Sequence, residues 1–498
     1  MPKRIWQIMI GLLASLQVAQ ADPREDYHAL QDLTAAVAAI APALDAAEDT
    51  ALLAYPAIAA LMPGPEPLSD LAPLAAMPAA ELQLIDLRIA LVQLSIYAGT
   101  NDQLSVVRAQ PGDAPKVIAI RNGTASLAEV KDWIAAQDDA AAMLSDQGLH
   151  IPLVVLEGAR LTLAAGDELM LNRADGTFLL NLGTLLVDGA TIGVAGPENR
   201  TVPEYAPFVV TAGSGMAQIT GAQITGLGFS KTAAFSGLAV VNKGLYQPIG
   251  RSVLTSNVLR DVGAVTFLGT DDAVIRSNLI TDARHAGLVL NRANGTDVVG
   301  NLITRTQSGS ALRVTDGTAG SLITGNLIFA NTNTGVQVTR GSRDTHLVRN
   351  ILWQNGGVGL SIHRSDCTQV TRNVAMENGK KGIELLSSWH AALTDNQIFG
   401  NGSAGLLIAD QPNGNETLVE RNVFVGNRVG LASASAHVLT LRANDFSNQF
   451  PRLVDGDLLG EAHQIMNNLT GADEIRLVAG GIEVFGGFSG TCNFERDG

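Results

Sequence analysis

Cysteine is scarce in this sequence, since Cys367 and Cys492 are the only two in 498 residues. A chain with so few cysteines is not a disulfide-stabilised scaffold. The two thiols could pair in an oxidising compartment, and two buried free thiols are an equally acceptable interpretation. The sequence leaves their pairing open.

Positive charge is also scarce. Lysine and arginine number 33 against 48 aspartates and glutamates, which leaves a formal net charge of −15. The overall field of such a chain does not attract nucleic acid or anionic membranes, so neither is an expected partner. A polyanion would have to bind along a locally basic track. Apolar residues make up 46% of the chain, which is enough for a large core and too much for a disordered protein.

Long hydrophobic runs are absent after the first 21 residues. Lys3 and Arg4 precede an apolar run over residues 5–18, and Ala19-Gln20-Ala21 matches a signal cleavage site. The run is too short to predict a membrane span, whereas the whole pattern is typical of a secretory signal. We therefore predict a signal peptide over residues 1–21 and a periplasmic or secreted mature chain with no membrane span. An uncleaved anchor is the alternative.

Motifs for common cofactors are missing as well. The sequence contains no Gly-rich phosphate loop followed by lysine, no metalloprotease histidine pair and no paired-cysteine zinc pattern. We therefore expect neither a cofactor nor a bound metal.

Alanine and leucine dominate the region that follows the signal. Residues 30–47 and 79–97 contain few β-branched residues, which predicts helices. We expect the segment 22–112 to be helical, to lie outside the rest of the fold and to cover its open end. A further helix is predicted over residues 127–142, with Ser126 as its N-cap.

Alternating apolar and polar residues take over from about residue 151, which is a strand pattern. We divide the rest of the chain into a β-rich first part over 113–215, a repeat region over 216–450 and a C-terminal cap over 451–498. In the repeat region an asparagine returns every 21 to 26 residues, often with a second asparagine five residues later and a glycine eight or nine residues after the first. The first asparagines are Asn257, Asn278, Asn301, Asn326, Asn350, Asn373, Asn396, Asn422 and Asn444.

A period in the twenties with short alternating strands fits few architectures. Leucine-rich repeats need leucines at fixed offsets, whereas the apolar positions here hold Val, Ile, Leu and Phe freely. An all-β, right-handed parallel β-helix explains the asparagine column better, because equivalent residues stack one strand spacing apart and their amides can hydrogen-bond in ladders. We interpret these asparagines as structural.

The strand that follows each glycine can be aligned from one repeat to the next. Its first and third residues are always apolar and are predicted to point inward, so the second, fourth and fifth face outward or turn the corner. The strands are Leu288–Arg292, Leu312–Asp316, Val336–Arg340, Leu360–Arg364, Ile383–Ser387 and Leu406–Asp410.

The outward and corner positions gather arginines and a histidine on one face of an acidic protein. One interpretation is an ordinary solvated sheet face. The other is a groove for an extended anionic chain, since arginine pairs bidentately with carboxylates. In that groove the predicted substrate-binding residues are Asn291, Arg292, Arg313, Gln337 and Arg340, and the predicted catalytic residues are His363, Arg364 and Glu384.

Several segments together resemble the periplasmic mannuronan carbon-5 epimerases of alginate biosynthesis. They include Val117 to Gly123 leading into a short helix, Phe178 to Gly183, Leu227 to Lys231 and Asp271 to Asn278. The resemblance covers roughly residues 115–445 and implies a parallel β-helix that acts on a uronic-acid polymer. That family carries an Asp-Pro-His-Asp signature whose histidine transfers the proton at carbon 5. In the matching place this sequence has Val289-Leu290-Asn291-Arg292, so no catalytic histidine carries over.

Three functions follow as hypotheses. The first is an epimerase-like enzyme on a polymer such as polymannuronate, in which His363 moves the proton, Arg364 neutralises the carboxylate and Glu384 orients the imidazole. The second is a non-catalytic polysaccharide-binding β-helix that serves exopolysaccharide export or protection, with other exopolysaccharide-assembly proteins as further candidate partners. The third, an accessory protein of metal maturation, is disfavoured because no cluster of Cys, Met or His is apparent in the sequence.

Overall fold

A computed structural model describes residues 74–99, 103–243 and 246–479, together with the single residues Ala35 and Cys492. The predicted signal peptide and the helix predicted over 30–47 lie outside these ranges, apart from Ala35, which is helical. Among the described residues, no helix is both long and apolar enough to span a membrane.

The strands are short and numerous. In the first half of the described chain they are β1 (Glu81–Asp86), β2 (Lys116–Arg121), β3 (Thr124–Ser126), β4 (Leu144–Ser145), β5 (Gly148–Leu149), β6 (Leu153–Val155), β7 (Arg160–Leu163), β8 (Glu168–Asn172), β9 (Leu179–Asn181), β10 (Thr184–Asp188), β11 (Thr191–Ala195), β12 (Val209–Ala212), β13 (Met216–Thr220), β14 (Gln223–Thr225), β15 (Gly237–Val241), β16 (Val253–Thr255), β17 (Val258–Arg260), β18 (Ala264–Leu268), β19 (Val274–Arg276), β20 (Leu279–Thr281), β21 (Leu288–Asn291), β22 (Asp297–Val299), β23 (Leu302–Thr304) and β24 (Leu312–Thr315).

The second half continues the same pattern. Its strands are β25 (Leu322–Thr324), β26 (Leu327–Phe329), β27 (Val336–Thr339), β28 (His346–Val348), β29 (Ile351–Trp353), β30 (Leu360–His363), β31 (Gln369–Thr371), β32 (Val374–Met376), β33 (Ile383–Leu386), β34 (Ala392–Thr394), β35 (Gln397–Phe399), β36 (Ala404–Ala409), β37 (Glu416–Glu420), β38 (Val423–Val425), β39 (Val429–Ala434), β40 (His437–Arg442), β41 (Asp445–Asn448), β42 (Val454–Gly456) and β43 (Ile475–Ala479).

These strands form a parallel β-solenoid of about 13 turns with three sheets, which confirms the predicted fold class. From β6 onward every third strand belongs to the same sheet. Sheet 1 contains β6 and β9, sheet 2 contains β7 and β10, and sheet 3 contains β8 and β11. One turn of the coil is therefore one strand of each sheet.

The chain divides into two compact units, which are described separately. The N-terminal unit comprises the described residues from Leu74 to Asp297 and Thr304–Ser321, and the C-terminal unit comprises Val298–Ile303 and the described residues from Leu322 onward. Within each unit the sheet 1 register is the one predicted, with Leu288 opposite Leu312 and Leu360 opposite both Val336 and Ile383. The first and third residues of these strands are fully buried, as the alternation predicts.

Asparagine ladders run through the turns, as predicted. In the N-terminal unit Asn257 Nδ2 donates to Asn278 Oδ1 at 2.9 Å. In the C-terminal unit Asn301, Asn326, Asn350, Asn373, Asn396, Asn422 and Asn444 form one continuous chain of such bonds, each 2.9–3.1 Å long. A second ladder joins Asn331, Asn355, Asn378, Asn401 and Asn427 and ends on Gln449.

The residue before each asparagine, rather than the asparagine itself, holds the left-handed backbone. Arg349 and Arg372 have φ values of 54° and 56° and precede Asn350 and Asn373. The glycine column has a packing reason, because a Cβ on Gly359 would lie only 2.6 Å from the carbonyl oxygen of Gly382. Side chains in the glycine column would push successive turns of the coil, the rungs, apart.

The helices lie mainly near the N-terminal end of the described chain. They are α1 (Leu87–Ala98), α2 (Leu104–Arg108), α3 (Leu127–Ala135), α4 (Ala140–Met143) and α5 (Ala462–Met466). Ser126 caps α3 in a capping box with Glu129, as predicted, but the helix ends at Ala135 rather than near residue 142.

The described part of the segment 22–112, which was predicted to be helical, contains a strand. Residues Glu81–Asp86 form β1, which pairs antiparallel with β2 at the edge of sheet 1, so this stretch continues the stack rather than lying outside it. The alternating Glu-Leu-Gln-Leu pattern favours a strand, and an unpaired edge is available to pair with it. The following helix α1 packs on the outer face of sheet 1.

A disulfide joins Cys367 and Cys492, which are 125 residues apart in the sequence. This resolves the pairing that the sequence left open. The last strand, β43, pairs antiparallel with β40 of sheet 2.

Candidate functional site

The outer face of sheet 1 is the surface on which the predicted site residues lie. It is formed by the second and fourth residues of the sheet 1 strands, because the first and third residues are buried in the core. The nature of this face changes along the chain.

In the N-terminal unit the face begins as an apolar surface that is covered. Val154, Leu180 and Val210 follow one another in register on β6, β9 and β12. All three are fully buried in one cluster with Leu91 and Leu94 of α1. This part of the face is core and offers no binding surface.

Polar side chains replace the apolar ones on β21 and β24. Asn291 pairs with Thr315 across the two strands. Its Nδ2 donates to Asp316 Oδ2 at 2.9 Å, whereas its Oδ1 is buried without a hydrogen-bond partner. Arg313 and Arg292 are exposed beside it. This strand is the one that the resemblance matches to the epimerase signature, and its polar side chain here is an amide, which does not take up a proton at neutral pH.

A basic cluster lies just before β21. The Arg284 guanidinium pairs with Asp261 at 2.7 Å and donates to the carbonyl oxygen of Leu227 at 2.9 Å. Burial, and then the positive charges of Lys231 and Arg284, lower the pKa of the neighbouring His285. The sequence interpretation did not single out His285, since no short motif marks it.

In the C-terminal unit three polar side chains follow one another at the second position. Gln337, Ser361 and Glu384 are in register on β27, β30 and β33. Ser361 Oγ donates to Glu384 Oε2 at 3.1 Å, and Lys381 Nζ lies 2.5 Å from Glu384 Oε1. The Glu384 side chain is only 13% exposed. Both of its carboxylate oxygens are therefore engaged within the rung and its neighbour.

His363 occupies the fourth position of β30, opposite Thr339 and Leu386. Within the part of the chain that the structure describes, its imidazole makes no hydrogen bond or ion pair. Glu384 is hydrogen-bonded to Ser361 and Lys381 instead of His363. No hydrogen bond in this structure therefore supports the prediction that Glu384 orients the His363 imidazole.

The corner arginines Arg292, Arg340 and Arg364 all have left-handed backbones, with φ values of 48°, 57° and 50°. All three side chains are exposed. Arg364 follows His363 directly in the sequence, at the corner where β30 ends. The sequence located these positions correctly at strand ends, but it did not predict the pairing of Lys381 with Glu384, although the spacing of three residues was visible.

Comparisons with known proteins place this geometry in context. Residues 216–356 and 251–450 match the family described as "Periplasmic copper-binding protein (NosD)". Among solved structures, the periplasmic alginate epimerase AlgG is similar, with a TM-score of 0.62 and 18% identity over 76% of this chain and 93% of that chain. The A-module of the Azotobacter vinelandii mannuronan C-5 epimerase AlgE6 aligns with a TM-score of 0.42 at 14% identity over 65% of this chain and 92% of that chain. No curated protein matches.

The likeness to AlgG is a likeness of fold, and at this level it confirms the resemblance to the periplasmic epimerases. The family name raises the question of copper. Among the described residues, no three His, Cys, Asp or Glu side chains come together as metal ligands. The thiolates that copper(I) favours are absent too, since Cys367 and Cys492 form a disulfide. The His, Cys, Asp and Glu side chains of the described residues therefore do not fit a copper centre.

Proposed function

We propose that this chain is a periplasmic protein that binds an acidic polysaccharide along the outer face of sheet 1 in its C-terminal unit. The observation that carries the proposal is the row of Gln337, Ser361 and Glu384 on consecutive rungs, with exposed Arg364 directly after β30. The fold shared with a periplasmic alginate epimerase supports the class of polymer and the compartment. The matching family, named as periplasmic, supports the same location.

The physical case rests on repetition and charge. Rungs of the coil recur about every 4.8 Å, so polar side chains at equivalent positions are evenly spaced along a ligand that itself repeats. Exposed arginine pairs bidentately with a uronate carboxylate. Lys381 offsets the charge of Glu384, which leaves that carboxylate less repulsive toward an anionic ligand.

Binding to polymannuronate oligomers, measured by calorimetry at low and at physiological ionic strength, tests this proposal. Arg364→Ala should weaken binding about tenfold, which is about 1.4 kcal/mol, and should reduce the salt dependence. Arg349→Ala is the matched control, because Arg349 is also an exposed arginine with a left-handed backbone but lies at the corner between sheets 2 and 3. Equal losses in both variants, or no binding by the parent, would refute the proposal.

Arg340 of the C-terminal unit remains a predicted contact of this polysaccharide. Taken by themselves, Arg292, Arg313 and Asn291 of the N-terminal unit remain predicted contacts of an acidic polysaccharide as well. Arg292→Ala is the most direct test of the N-terminal group, since the Arg292 side chain is exposed and forms no ion pair among the described residues. A loss of affinity comparable with that of Arg364→Ala is expected.

Epimerase-like proton transfer is a second candidate, favoured by the adjacency of His363 and Arg364. In this scheme His363 removes the carbon-5 proton of a uronate while Arg364 neutralises its carboxylate, and water supplies the proton that is added to the opposite face of carbon 5. Incubation of polymannuronate in deuterated water should then place deuterium at carbon 5. His363→Ala should abolish the exchange and keep binding. A parent that binds the polymer without any exchange is instead a non-catalytic binding protein, which fits a role in export or protection with other polysaccharide-assembly proteins.

A further inference from the structure

Three side chains of the N-terminal unit are joined by two short hydrogen bonds. Ser145 Oγ lies 2.6 Å from Nε2 of His150, and Nδ1 of the same imidazole lies 2.6 Å from Oδ2 of Asp175. Because a carboxylate only accepts, the proton belongs on Nδ1, and Nε2 is then free to accept from the serine hydroxyl. A hydroxyl, an imidazole and a carboxylate in this order form the arrangement of a nucleophilic triad.

A β-hairpin holds the hydroxyl and the imidazole together. β4 and β5 pair antiparallel, with Ser145 opposite Gly148, and the main-chain N–H of His150 donates to Met143 at 2.8 Å. The N–H of Gln147 donates to Ser145 Oγ at 3.1 Å. Since that donor already occupies a lone pair of the oxygen, the hydroxyl proton is left to point toward the imidazole.

The carboxylate comes from a loop that is held firmly. Next to Asp175, the carbonyl oxygen of Gly176 accepts from the hydroxyl of Tyr205 at 2.9 Å and from Nε2 of Gln110 at 2.6 Å. Tyr205 is fully buried. Hydrogen bonds of this kind hold the loop, and with it the Asp175 carboxylate, in place before any ligand binds.

A cavity of about 130 Å³ opens beside the serine. Its wall includes Ser145, the apolar side chains of Leu127, Val130 and Met170, and the charged residues Lys131, Asp146 and Glu168. The Lys131 ammonium donates to the carbonyl oxygen of Glu168 at 3.2 Å. Ser145 itself is exposed, whereas the His150 side chain is only 21% exposed. A small apolar group fits the cavity, and a larger group attached to it could remain in solvent.

We propose that Ser145, His150 and Asp175 hydrolyse esters of short acyl chains, an activity separate from the polysaccharide-binding face. Ser145 Oγ attacks the ester carbonyl while its proton passes to His150 Nε2, and that proton then goes to the departing alcohol. Water, deprotonated by the same imidazole, attacks the acyl-serine, and the imidazole returns that proton to Ser145 Oγ as the carboxylic acid is released. Asp175 holds the imidazole and stabilises the positive charge that it gains in each step.

Labelling of the full-length chain by a fluorophosphonate probe, followed by peptide mass spectrometry, tests the proposal without any substitution. The expected result is a single modification on Ser145. In parallel, hydrolysis of p-nitrophenyl acetate and butyrate should exceed that by the heat-denatured chain. A parent that is neither labelled at Ser145 nor active overturns the proposal, and the hydrogen bonds then serve only to fasten the hairpin to the loop.

Substitutions sharpen the test. Ser145→Ala and His150→Gln should abolish labelling, and Asp175→Asn should lower ester hydrolysis about a hundredfold or more. Ser214→Ala is the matched control, because that hydroxyl donates to Glu157 at 3.1 Å without an imidazole between them, and it should keep full activity. Retention of activity in Ser145→Ala overturns the proposal. Circular dichroism identifies a variant that fails to fold. In that case the test rests on whether the probe labels Ser145 in the parent.

Discussion

Replacing one ladder asparagine by aspartate should destabilise the solenoid in a pH-dependent way. Asn373 is the best position, since its Oδ1 accepts from the N–H and Nδ2 of Asn350, both at 2.9 Å, while its Nδ2 donates to Asn396 at 3.1 Å and Leu347 at 2.8 Å. Asn373→Asp keeps the acceptor side but turns a second oxygen toward these two acceptors and toward the carbonyl oxygen of Thr371, which now accepts from Nδ2 at 3.2 Å. The residue is 1% exposed, so water cannot relieve the conflict.

The size of the effect follows from burial. Desolvation raises a buried carboxyl pKa by about 3 units or more above its unfolded value of about 3.9. A folded pKa above the unfolded one means that the variant is least penalised below about pH 4 and loses stability as the pH rises toward the folded pKa. Three units correspond to about 4 kcal/mol at neutral pH. Even the protonated acid has one donor fewer, so about 1 kcal/mol should persist at low pH.

Urea unfolding monitored by circular dichroism at pH 4 and pH 7.5 measures this penalty. Asn413→Asp is the control, because Asn413 is exposed and the same change in charge should have little effect there. The free energies of unfolding of the two variants should differ by several kcal/mol at pH 7.5 and by less at pH 4. A penalty below about 1 kcal/mol at neutral pH, or one that does not vary with pH, would show that the ladder does not require amide donors.

Three further predictions concern single features. Replacing Cys367 by serine should lower stability by up to about 5 kcal/mol, since the bond closes a loop with a sequence separation of 125 residues; thermal unfolding measures this, and two alkylatable thiols in the unreduced, denatured parent would contradict it. Ser126→Ala should cost α3 about 1 kcal/mol by removing its capping box, and an unchanged urea midpoint would argue against the cap. NMR titration should place the midpoint of His285 below that of histidine in the urea-unfolded chain, because burial is the largest cause of its lowered pKa. The neutral form is favoured in the folded state, so His285 makes the fold less stable as the pH falls below about 6.5, and Lys231→Gln should raise the midpoint.

The coil was predictable because its signals are local and recur. The inward positions of sheet 1 follow from the alternation of side chains along a strand, and the ladders follow from stacking equivalent residues one rung apart. Asn350 and Asn373 could therefore be placed in one column from their spacing alone. By contrast, β1 was predicted as part of a helix, since the pairing that makes it a strand comes from β2, some 35 residues away in register.

The candidate site was predictable only in part. The alignment located Arg364 and His363 at the end of a strand, because chain position determines which residues turn a corner. It did not determine that Glu384 would bond to Ser361 and Lys381, since several partners lie within reach of one long side chain. The choice among them depends on rotamers and packing, which no residue pattern encodes.

The sequence by itself determined that this chain coils into parallel rungs with asparagine ladders and an outward row of polar side chains, because each of these depends on one short period repeated many times. Only the tertiary structure decided that α1 covers the first apolar part of sheet 1, that Cys367 meets Cys492, and that Asp175 meets the imidazole of His150. These contacts join segments that share no period and are brought together by the path of particular loops. The spacing of these residues in the sequence does not predict the contacts, which form only when the whole coil is folded.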